Sequence, residues 1–506
     1  MMRESASPLL TVVAPPERQP AVEAALAQEP RLRELVAVAA ETPAAPSNVV
    51  LVGAQDLLTG PDWEETLPPV VLRSVGAPEA GSLLALVFAR LGNWEKATAY
   101  AAATPALLAE VELLRNLQAG RPLAAPPAPI NDVGSLEHYR RWHNRAVALH
   151  YGHLRQPADA ATLQHAYSQA LASAPTPDWQ AFSAKHYATF LLDNDLLTEA
   201  YQHLTDTLAR PLSHAAKHEL LAVETGVLLQ QLTVPYDADL LAELKDKLWQ
   251  TLQYYEQQER PLSTALTLLD AAQVANFSDS FAEALGYLNR AIELLSGEEA
   301  PELLANAQYR KGVLLFTWAQ NGNPQFYRGA MTAYQQALQV FTRNEAYEVF
   351  AQIQHHLGII YSEIPDEVRK KSIWAAVSVS SFQQALEYFT PETHPYEYAT
   401  ICNHYANALT KYPPSVKADN FARALTYYRQ ALAVRTAPAY PVERALTQLN
   451  FLEAAWQVDL EKTADPAALL HEMHRYAQEI PHLIHDPALH QAAADHAHRL
   501  QQVQLD

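Results

Sequence analysis

The sequence has little cysteine, little glycine and no long apolar run. Cys402 is the only cysteine in 506 residues, so the chain forms no internal disulfide and no zinc site built from several cysteines. No apolar run approaches the ~18 residues that span a membrane. The N-terminus lacks the continuous apolar stretch and cleavage site of a signal peptide. We therefore expect a cytoplasmic protein with no membrane partner.

Basic residues are also in deficit. The 36 Lys and Arg face 56 Asp and Glu, which gives a formal charge of −20. Binding to phosphates needs a local excess of cations, and the longest basic run is Arg369-Lys370-Lys371, which we interpret as part of a solvated loop between two helices. The balance excludes nucleic acid as the main partner.

The chain has ample apolar material for a large interior. Hydrophobic residues make up 49% of it, and many of its 34 prolines stand between apolar stretches rather than inside them. That arrangement is typical of helices ended by proline-bearing loops. Because 506 residues exceed the ~250–300 at which one core stops growing, several domains or a repeat array is expected.

Internal self-similarity favours the repeat array. The segments LNRAI, YQQAL, FQQAL and YRQAL start at residues 288, 334, 382 and 428, with spacings of 46, 48 and 46 residues. A second marker repeats with the same period: FTRNEAYE starts at Phe341, FTPETHPYE at Phe389 and RTAPAYPVE at Arg435. Two markers with one period indicate a structural repeat.

Each period contains two amphipathic helices. From Glu345 to Glu363 apolar residues recur at steps of three and four, and Pro365 ends this helix. The second helix, about Ser372 to Phe389, has an apolar side on which small Ala385 allows close approach beside Phe382. Because neither helix can bury its apolar stripe alone, the hairpins must stack on one another.

These residues resemble the tetratricopeptide repeat. LGNWEKATAY at 91–100 is similar to the turn of that repeat, and YSQALASAP at 167–175 to its second half. Leu357-Gly358 with Tyr361 is similar to the crossing point of its first helix. The period of 46–48 residues is longer than the ~34 of the standard repeat, so the chain looks like the bacterial type with extended hairpins. The resemblance implies an all-α, right-handed α-solenoid of about nine helix-turn-helix repeats.

The predicted organisation has five parts. Residues 81–121 form a first helical hairpin, with its helices within 82–118, and residues 122–135 form a proline-rich connector. Residues 136–480 form the solenoid, and residues 481–506 form a capping helix. In residues 1–80, Leu9–Val13, Asn48–Val52 and Val70–Leu72 read as short strands around a helix at Ala21–Ala40. A small α/β unit and an irregular arm fit this N-terminal region equally well.

Known catalytic and metal-binding motifs are missing from the sequence. Histidines crowd the C-terminus, but His471-Glu472-Met473-His474 has the wrong spacing for a zinc-protease motif. Phosphate-binding glycine loops and nucleophile elbows do not occur, and Cys402 with His404 diverge on one helix. We therefore predict no catalytic residues, no metal site and no cofactor, and a protein that is not an enzyme.

The groove of the solenoid is the better candidate for function. In the family that the chain resembles, the first helix of each hairpin lines the concave face. With Gly312, Gly358 and Ala406 as crossing points, the resemblance implies that the partner-binding residues are Asn306, Tyr309, Gln352, His355, Thr400, Asn403, Asn407 and Lys411. Asparagines there offer a donor and an acceptor together, as an extended peptide backbone requires. Solvated helix residues are the alternative interpretation.

The functional hypothesis is a protein–protein interaction scaffold that binds a partner protein or peptide on the concave face. One alternative is a regulatory protein that senses a peptide or small ligand, with residues 1–80 as its output module. Another is an enzyme with its site in residues 1–80. The sequence leaves homo-oligomerisation open.

Overall fold

A computed structural model describes residues 8–41, 48–65, 67–76, 78–123, 125–128, 136–155, 157–365, 368–414 and 419–503. In this part of the chain there are twenty-two α-helices and seven short β-strands. The chain divides into two compact units, residues 1–270 (unit 1) and 271–506 (unit 2). The division falls within the helix Pro261–Phe277. The predicted part boundaries at 80/81, 121/122, 135/136 and 480/481 stay predictions.

Unit 1 begins with a small α/β region. Its strands are β1 Leu10–Val13, β2 Val36–Ala39, β3 Val49–Val52, β4 Asp56–Thr59 and β5 Arg73–Val75, with helices α1 Gln19–Leu26 and α2 Leu32–Leu35 between β1 and β2. These five strands form one mixed sheet in the order β2-β1-β3-β4-β5, with β1 parallel to β2 and β3, and the pairs β3–β4 and β4–β5 antiparallel. Apolar side chains of β1 and β3, such as Val12 and Val50, are fully buried. The α/β alternative for residues 1–80 is therefore confirmed.

The predicted helix at Ala21–Ala40 is wrong. It breaks near Pro30, which lacks an amide hydrogen and disfavours helix in the residue before it. The β-branched alternation of Val36 and Val38 then forms β2, because this segment can pair with β1. The predicted strand Val70–Leu72 is also displaced, since the strand begins at Arg73.

The rest of unit 1 is mainly helical, and the last of its helices continues into unit 2. These helices are α3 Ala80–Arg90, α4 Trp94–Ala101, α5 Pro105–Gln118, α6 Leu136–Tyr151, α7 Ala160–Ser173, α8 Pro177–Asp193, α9 Leu197–Leu208, α10 His214–Gln231, α11 Ala238–Gln257 and α12 Pro261–Phe277. Segment 82–118 holds three helices and not one hairpin, because Pro105 starts a new helix at a position where its missing amide has no cost. Gly92 makes the α3–α4 turn with a φ of 71°.

The proline-rich connector lies partly outside the described residues, which omit 124 and 129–135. Within it, the two-residue strand β6 Pro122–Leu123 pairs in parallel with β7 His153–Leu154. The start of the connector is therefore paired strand and not free polyproline.

Unit 2 is a series of helical hairpins. Its helices are α13 Phe281–Leu295, α14 Pro301–Gln320, α15 Tyr327–Ala337, α16 Tyr347–Glu363, α17 Val368–Tyr388, α18 Pro395–Lys411, α19 Asn420–Val434, α20 Pro441–Ala455, α21 Pro466–Leu483 and α22 Pro487–Gln501. Several start at proline in the first turn, where its fixed φ suits a helix. The basic triplet 369–371 belongs to the first turns of α17 and not to a loop, since α17 begins at Val368.

The predicted crossing points hold each hairpin together. A Cβ atom on Gly312 would lie 2.7 Å from the Tyr334 ring, and one on Gly358 would lie 3.0 Å from the Phe382 ring. Ala406 is fully buried at the third crossing point. Small residues on the first helix thus let the aromatic ring of the YQQAL or FQQAL marker pack against its backbone.

Successive first helices also touch each other. Contacts join α14 to α16, α16 to α18 and α18 to α20 in unit 2, and α6 to α8 and α8 to α10 in unit 1. We call the surface that these helices share the first-helix face of each unit. It is the surface on which the predicted binding residues lie.

Candidate functional site

The eight predicted residues lie on three neighbouring first helices of unit 2. Asn306 and Tyr309 are on α14, Gln352 and His355 on α16, and Thr400, Asn403, Asn407 and Lys411 on α18. All are partly buried except Lys411, which is exposed. The structure brings them into one polar row, whose role in binding a partner stays a prediction.

Hydrogen bonds join this row across the helices. The Tyr309 hydroxyl donates to Gln352 Oε1 at 3.1 Å, which links α14 to α16. Lys411 Nζ forms an ion pair with Glu363, which links α18 back to α16. The alternative that these residues are merely solvated does not account for these contacts, because the partners fix the orientation of the side chains.

A histidine pair forms the central link. His355 Nε2 lies 2.8 Å from His404 Nδ1, so one nitrogen carries the hydrogen and the other accepts it. Burial, and then the neighbouring histidines His404 and His356, lower the pKa of His355 well below its ordinary value. Burial and the Arg435 charge lower the pKa of His404 to about 4. Both rings are therefore neutral at pH 7, and the bond uses the N–H of one ring and the bare nitrogen of the other.

Beside this row a cavity of about 440 Å³ opens at the ends of α18 and α20. It is lined by Asn407, Thr410, Lys411, Phe421, Tyr428, Asn450, Glu453 and Ala454. The Tyr428 hydroxyl donates to Asn407 Oδ1 at 2.6 Å, and Asn450 Nδ2 donates to Asn403 Oδ1 at 3.5 Å. Among the described residues no partner bonds Asn407 Nδ2 or Asn450 Oδ1, so the cavity presents an amide donor and an amide acceptor.

The first-helix face of unit 1 is covered by a segment of the same chain. Residues 61–65 and 67–72 connect β4 to β5, and we call them the strap. The Trp63 side chain is 3% exposed and its ring lies edge-on to Phe182 of α8, with 5.4 Å between centroids. Trp63 O accepts a hydrogen bond from Arg260 Nη2 at 3.1 Å. An aromatic side chain thus anchors the start of the strap.

Asn144 of α6 holds the other end of the strap by its backbone. The Val71 amide donates to Asn144 Oδ1 at 2.9 Å, and Asn144 Nδ2 donates to Val71 O at 2.9 Å. One asparagine therefore satisfies both polar groups of one strap residue. This is the pairing that the sequence analysis expects of groove asparagines toward an extended peptide.

A histidine holds the strap at Pro69. His143 Nε2 lies 2.7 Å from Pro69 O and donates to it, since a carbonyl oxygen only accepts. Its Nδ1 then accepts from the Ser183 hydroxyl at 2.8 Å. Burial lowers the pKa of His143 to about 4, so the neutral ring keeps this tautomer. His143 is fully buried, so the Ser183–His143 pair serves as a support rather than an accessible nucleophile.

An ion-pair network holds the acidic part of the strap. Lys185 Nζ of α8 lies 2.7 Å from Glu65 Oε1 and 2.7 Å from Glu219 Oε2 of α10. Glu219 in turn pairs with Arg260 at 2.5 Å. These contacts outweigh burial and raise the pKa of Lys185, which keeps its charge on the Glu65 carboxylate.

Sequence reasoning missed Asn144, His143 and Lys185. The sequence pattern around these residues gave little indication of their role, because α6 and α8 belong to the part of the chain in which the two repeat markers do not recur. WHN at 142–144 does contain an asparagine on a first helix, but nothing in the pattern reveals which segment covers it. The strap is a long-range contact and its position follows only from the fold.

The C-terminal histidines and Cys402, which the sequence also singles out, do not come together in one site within the described residues. His490 Nε2 bonds to Ile484 O at 2.6 Å, and His496 Nδ1 accepts from Trp456 Nε1 at 2.9 Å. No three His, Cys, Asp or Glu side chains of the described residues form a group that could hold a metal ion. Cys402 is buried, and desolvation raises the pKa of its thiol to about 12. Among the described helices none is long and apolar enough to cross a membrane.

The fold defines a helical-repeat protein built from tetratricopeptide-like hairpins, as predicted. No protein-family model and no curated protein matches the sequence.

Among solved structures, one similar chain is a signal-transduction ATPase of the STAND class with a tetratricopeptide repeat sensor, from Pyrococcus horikoshii. It is 12% identical with a TM-score of 0.46, and the match covers 84% of this chain but only 55% of that protein. Another is a monomeric mutant of IFIT1 with m7Gppp-AAAA, at 14% identity, 84% and 90% coverage and a TM-score of 0.36. Cut9-Hcn1 of the APC/C also matches, at 14% identity, 84% and 90% coverage and a TM-score of 0.29. All three TM-scores lie below 0.5, so these likenesses assign no function to this chain.

Proposed function

We propose that this chain is a binding protein, and not an enzyme, whose first-helix face in unit 2 holds an extended segment of a partner protein. The observation that carries the proposal is the Asn144–Val71 pair in unit 1, where a first-helix asparagine binds both backbone polar groups of a strap residue. The chain thereby contains one instance of the recognition that we propose for a partner.

The cavity of unit 2 offers the same chemistry. Asn407 Nδ2 can donate to a backbone carbonyl, and Asn450 Oδ1 can accept from a backbone amide. Tyr428 orients the Asn407 amide by donating to its Oδ1. Because this amide is held in place before binding, less side-chain entropy is lost when a segment docks. The partner is accordingly a protein or peptide, and the formal charge of −20 argues against a nucleic acid.

The test is the substitution Asn407→Asp in the full chain. Aspartate keeps an acceptor for the Tyr428 hydroxyl but replaces the amide donor with a second acceptor. Twelve-residue peptides are first selected on the wild-type chain from a random display library. Their dissociation constants are then measured by fluorescence anisotropy on the wild type and on the variant. We expect binding to weaken by about tenfold or more, since the amide donor in the cavity is replaced by an acceptor that repels a backbone carbonyl.

Gln336→Glu provides the matched control. Gln336 lies exposed on α15, which is a second helix, so the same amide-to-carboxylate change adds its charge away from the first-helix face. Affinity should stay within about twofold of the wild type for this variant. Selection of no peptide, or equal weakening by both substitutions, contradicts the proposal.

A further inference from the structure

One carboxylate in the cavity of unit 2 has no partner within the described chain. Glu453 lies on α20 one turn after Asn450, and its exposed side chain lines this cavity. In the described part of the chain no hydrogen bond or ion pair connects its carboxylate to another residue. Lys411, the other charged residue of the lining, already forms an ion pair with Glu363. The cavity therefore keeps one uncompensated negative charge.

The repeat distinguishes Glu453 from an ordinary surface glutamate. Its position on α20 is the one that Asn407 holds on α18, 46 residues earlier, while Ile359 and Val313 hold it on α16 and α14. A single charged residue on a helix surface is ordinary. Here the same position of two neighbouring first helices changes from aliphatic to polar, and both polar residues line one cavity. An amide and a carboxylate are thus available to the same ligand.

The groups around Glu453 do not neutralise its carboxylate. Burial, and then the field of Glu453, raise the pKa of Tyr428, so this hydroxyl stays neutral. Burial lowers the pKa of His496 although Glu453 opposes the shift, and His496 Nδ1 accepts from Trp456. The guanidinium of Arg499, which also acts on His496, lies over the Trp456 ring at 4.0 Å and makes no ion pair with the glutamate.

We propose that Glu453 binds a side-chain cation, a guanidinium or an ammonium group, of the segment that Asn407 and Asn450 hold. The inference rests on the proposed function and specifies its partner: a segment with an arginine or a lysine beside the bound backbone. A carboxylate accepts two parallel hydrogen bonds from a guanidinium and pairs with an ammonium as a point charge. Phe421 and Ala454 also line the cavity and can contact the methylene stem of either side chain.

Spacing and charge both support this choice of ligand. Asn450 and Glu453 are three residues apart on α20, a rise of about 4.5 Å along the helix. Neighbouring residues of an extended segment are about 3.3 Å apart. A long side chain next to the residue held by Asn450 therefore reaches the carboxylate. The formal charge of −20 attracts a basic segment and repels an acidic one.

The test uses blocked pentapeptides of one design, so that it does not depend on a selected sequence. Each is acetylated and amidated and has four alanines around a central arginine, lysine or citrulline. Citrulline keeps the shape of arginine without its charge. Dissociation constants are measured by ligand-observed NMR titration on the full chain as wild type, Glu453→Gln and Glu293→Gln. Glu293 is exposed on α13, a second helix, so its substitution removes the same charge away from the first-helix face.

We expect the arginine probe to bind the wild type about fivefold more tightly than the citrulline probe. This preference should vanish in Glu453→Gln and persist in Glu293→Gln. A lysine probe that binds less tightly than the arginine probe indicates a two-bond fork, and one that binds at least as tightly indicates a point charge; both support the subsite. Equal binding of the arginine and citrulline probes to the wild type, no binding of any probe, or an undiminished preference in Glu453→Gln overturns it.

The citrulline probe separates this inference from the proposed function. Asn407→Asp adds a charge that attracts a basic peptide, but with the neutral probe it reports only the loss of the amide donor. If Asn407→Asp weakens the citrulline probe while arginine gives no gain, the proposed function stands and the subsite fails. If the arginine preference depends on Glu453 but Asn407→Asp leaves the citrulline probe unchanged, the acidic subsite stands and recognition of the backbone fails.

Discussion

At the scale of single residues, glycine on the first helices of unit 2 decides how closely a hairpin packs. Gly358 lies against the Phe382 ring, whereas Gly286 of α13 has open space where a Cβ atom would be. Both are glycines inside helices, so each substitution to alanine gains the same helix propensity. The difference between them measures the packing alone.

We therefore expect opposite effects on stability from the two alanine substitutions. Gly286→Ala should stabilise the chain by about 0.5–1 kcal/mol. Gly358→Ala should destabilise it by about 1–3 kcal/mol, because the new methyl group would lie 3.0 Å from the fully buried Phe382 ring, which has little room to move aside. Urea denaturation followed by circular dichroism measures both. Equal gains from the two substitutions would show that the ring moves aside at no cost.

Residue-level reasoning from the sequence located the crossing points, because Gly312, Gly358 and Ala406 match the small residues of the family that the chain resembles. The packing of Gly312 against Tyr334 and of Gly358 against Phe382 emerges only in the structure. The same reasoning did not find Asn144, whose partner Val71 is 73 positions away in the chain. Local patterns describe which side of a helix is apolar, but they do not reveal which distant segment covers a polar side chain.

At the scale of helices, the neighbouring first helices α16 and α18 are joined by the His355–His404 hydrogen bond. The bond needs one bare ring nitrogen. The charged or titratable groups that act on these rings are each other, His356 and Arg435, and all of them oppose protonation. Protonation of either ring therefore places a cation in a buried position among groups that disfavour it, and protonation of both rings leaves the pair without an acceptor.

The pair predicts a loss of stability in acid. The folded-state pKa of His404 is about 4, below its ordinary value of 6.5, so between these two values the unfolded chain binds the proton first. The neutral His404 ring makes its full contribution to the free energy of unfolding above pH 6.5, and this contribution falls as the pH drops toward 4. At pH 5 the loss amounts to about 2 kcal/mol.

Thermal melts at pH 7 and pH 5 check this prediction. His404→Gln should reduce the difference in melting temperature between the two pH values, because glutamine has no proton to gain. His482→Gln, at an exposed histidine in the last turn of α21, serves as the control and should leave the difference unchanged. An unaltered pH dependence in His404→Gln would mean that other groups, such as His356, account for it.

The residues at which helices and strands begin and end show how much of the fold can be predicted from the sequence. The hairpins from α14 to α20 follow from apolar steps of three and four together with proline at helix starts. The structure of the N-terminal region could not be predicted in this way. The four residues Val36–Ala39 fit a helix or a strand equally well until β1 supplies a pairing partner. Short apolar segments take their structure from the neighbours that they meet in the fold.

At the scale of the whole molecule, the formal charge of −20 creates a negative field that repels an acidic peptide before contact. The hydrogen bonds that we propose for the amides of Asn407 and Asn450 act only at short range. The two effects act at different stages of binding. The long-range field sets the rate of encounter, and the short contacts set the rate of release.

Salt should therefore speed the association of an acidic peptide with this chain. Raising sodium chloride from about 20 to about 200 mM shortens the screening length to less than ~10 Å, so the repulsion between like charges weakens before contact. We expect the association rate constant of a selected acidic peptide to rise a few-fold, as measured by stopped-flow fluorescence. A neutral peptide of the same length should show little change. If the rate for the acidic peptide falls with salt, the local field of the cations on the first-helix face exceeds that of the net charge, because screening would then remove attraction and not repulsion.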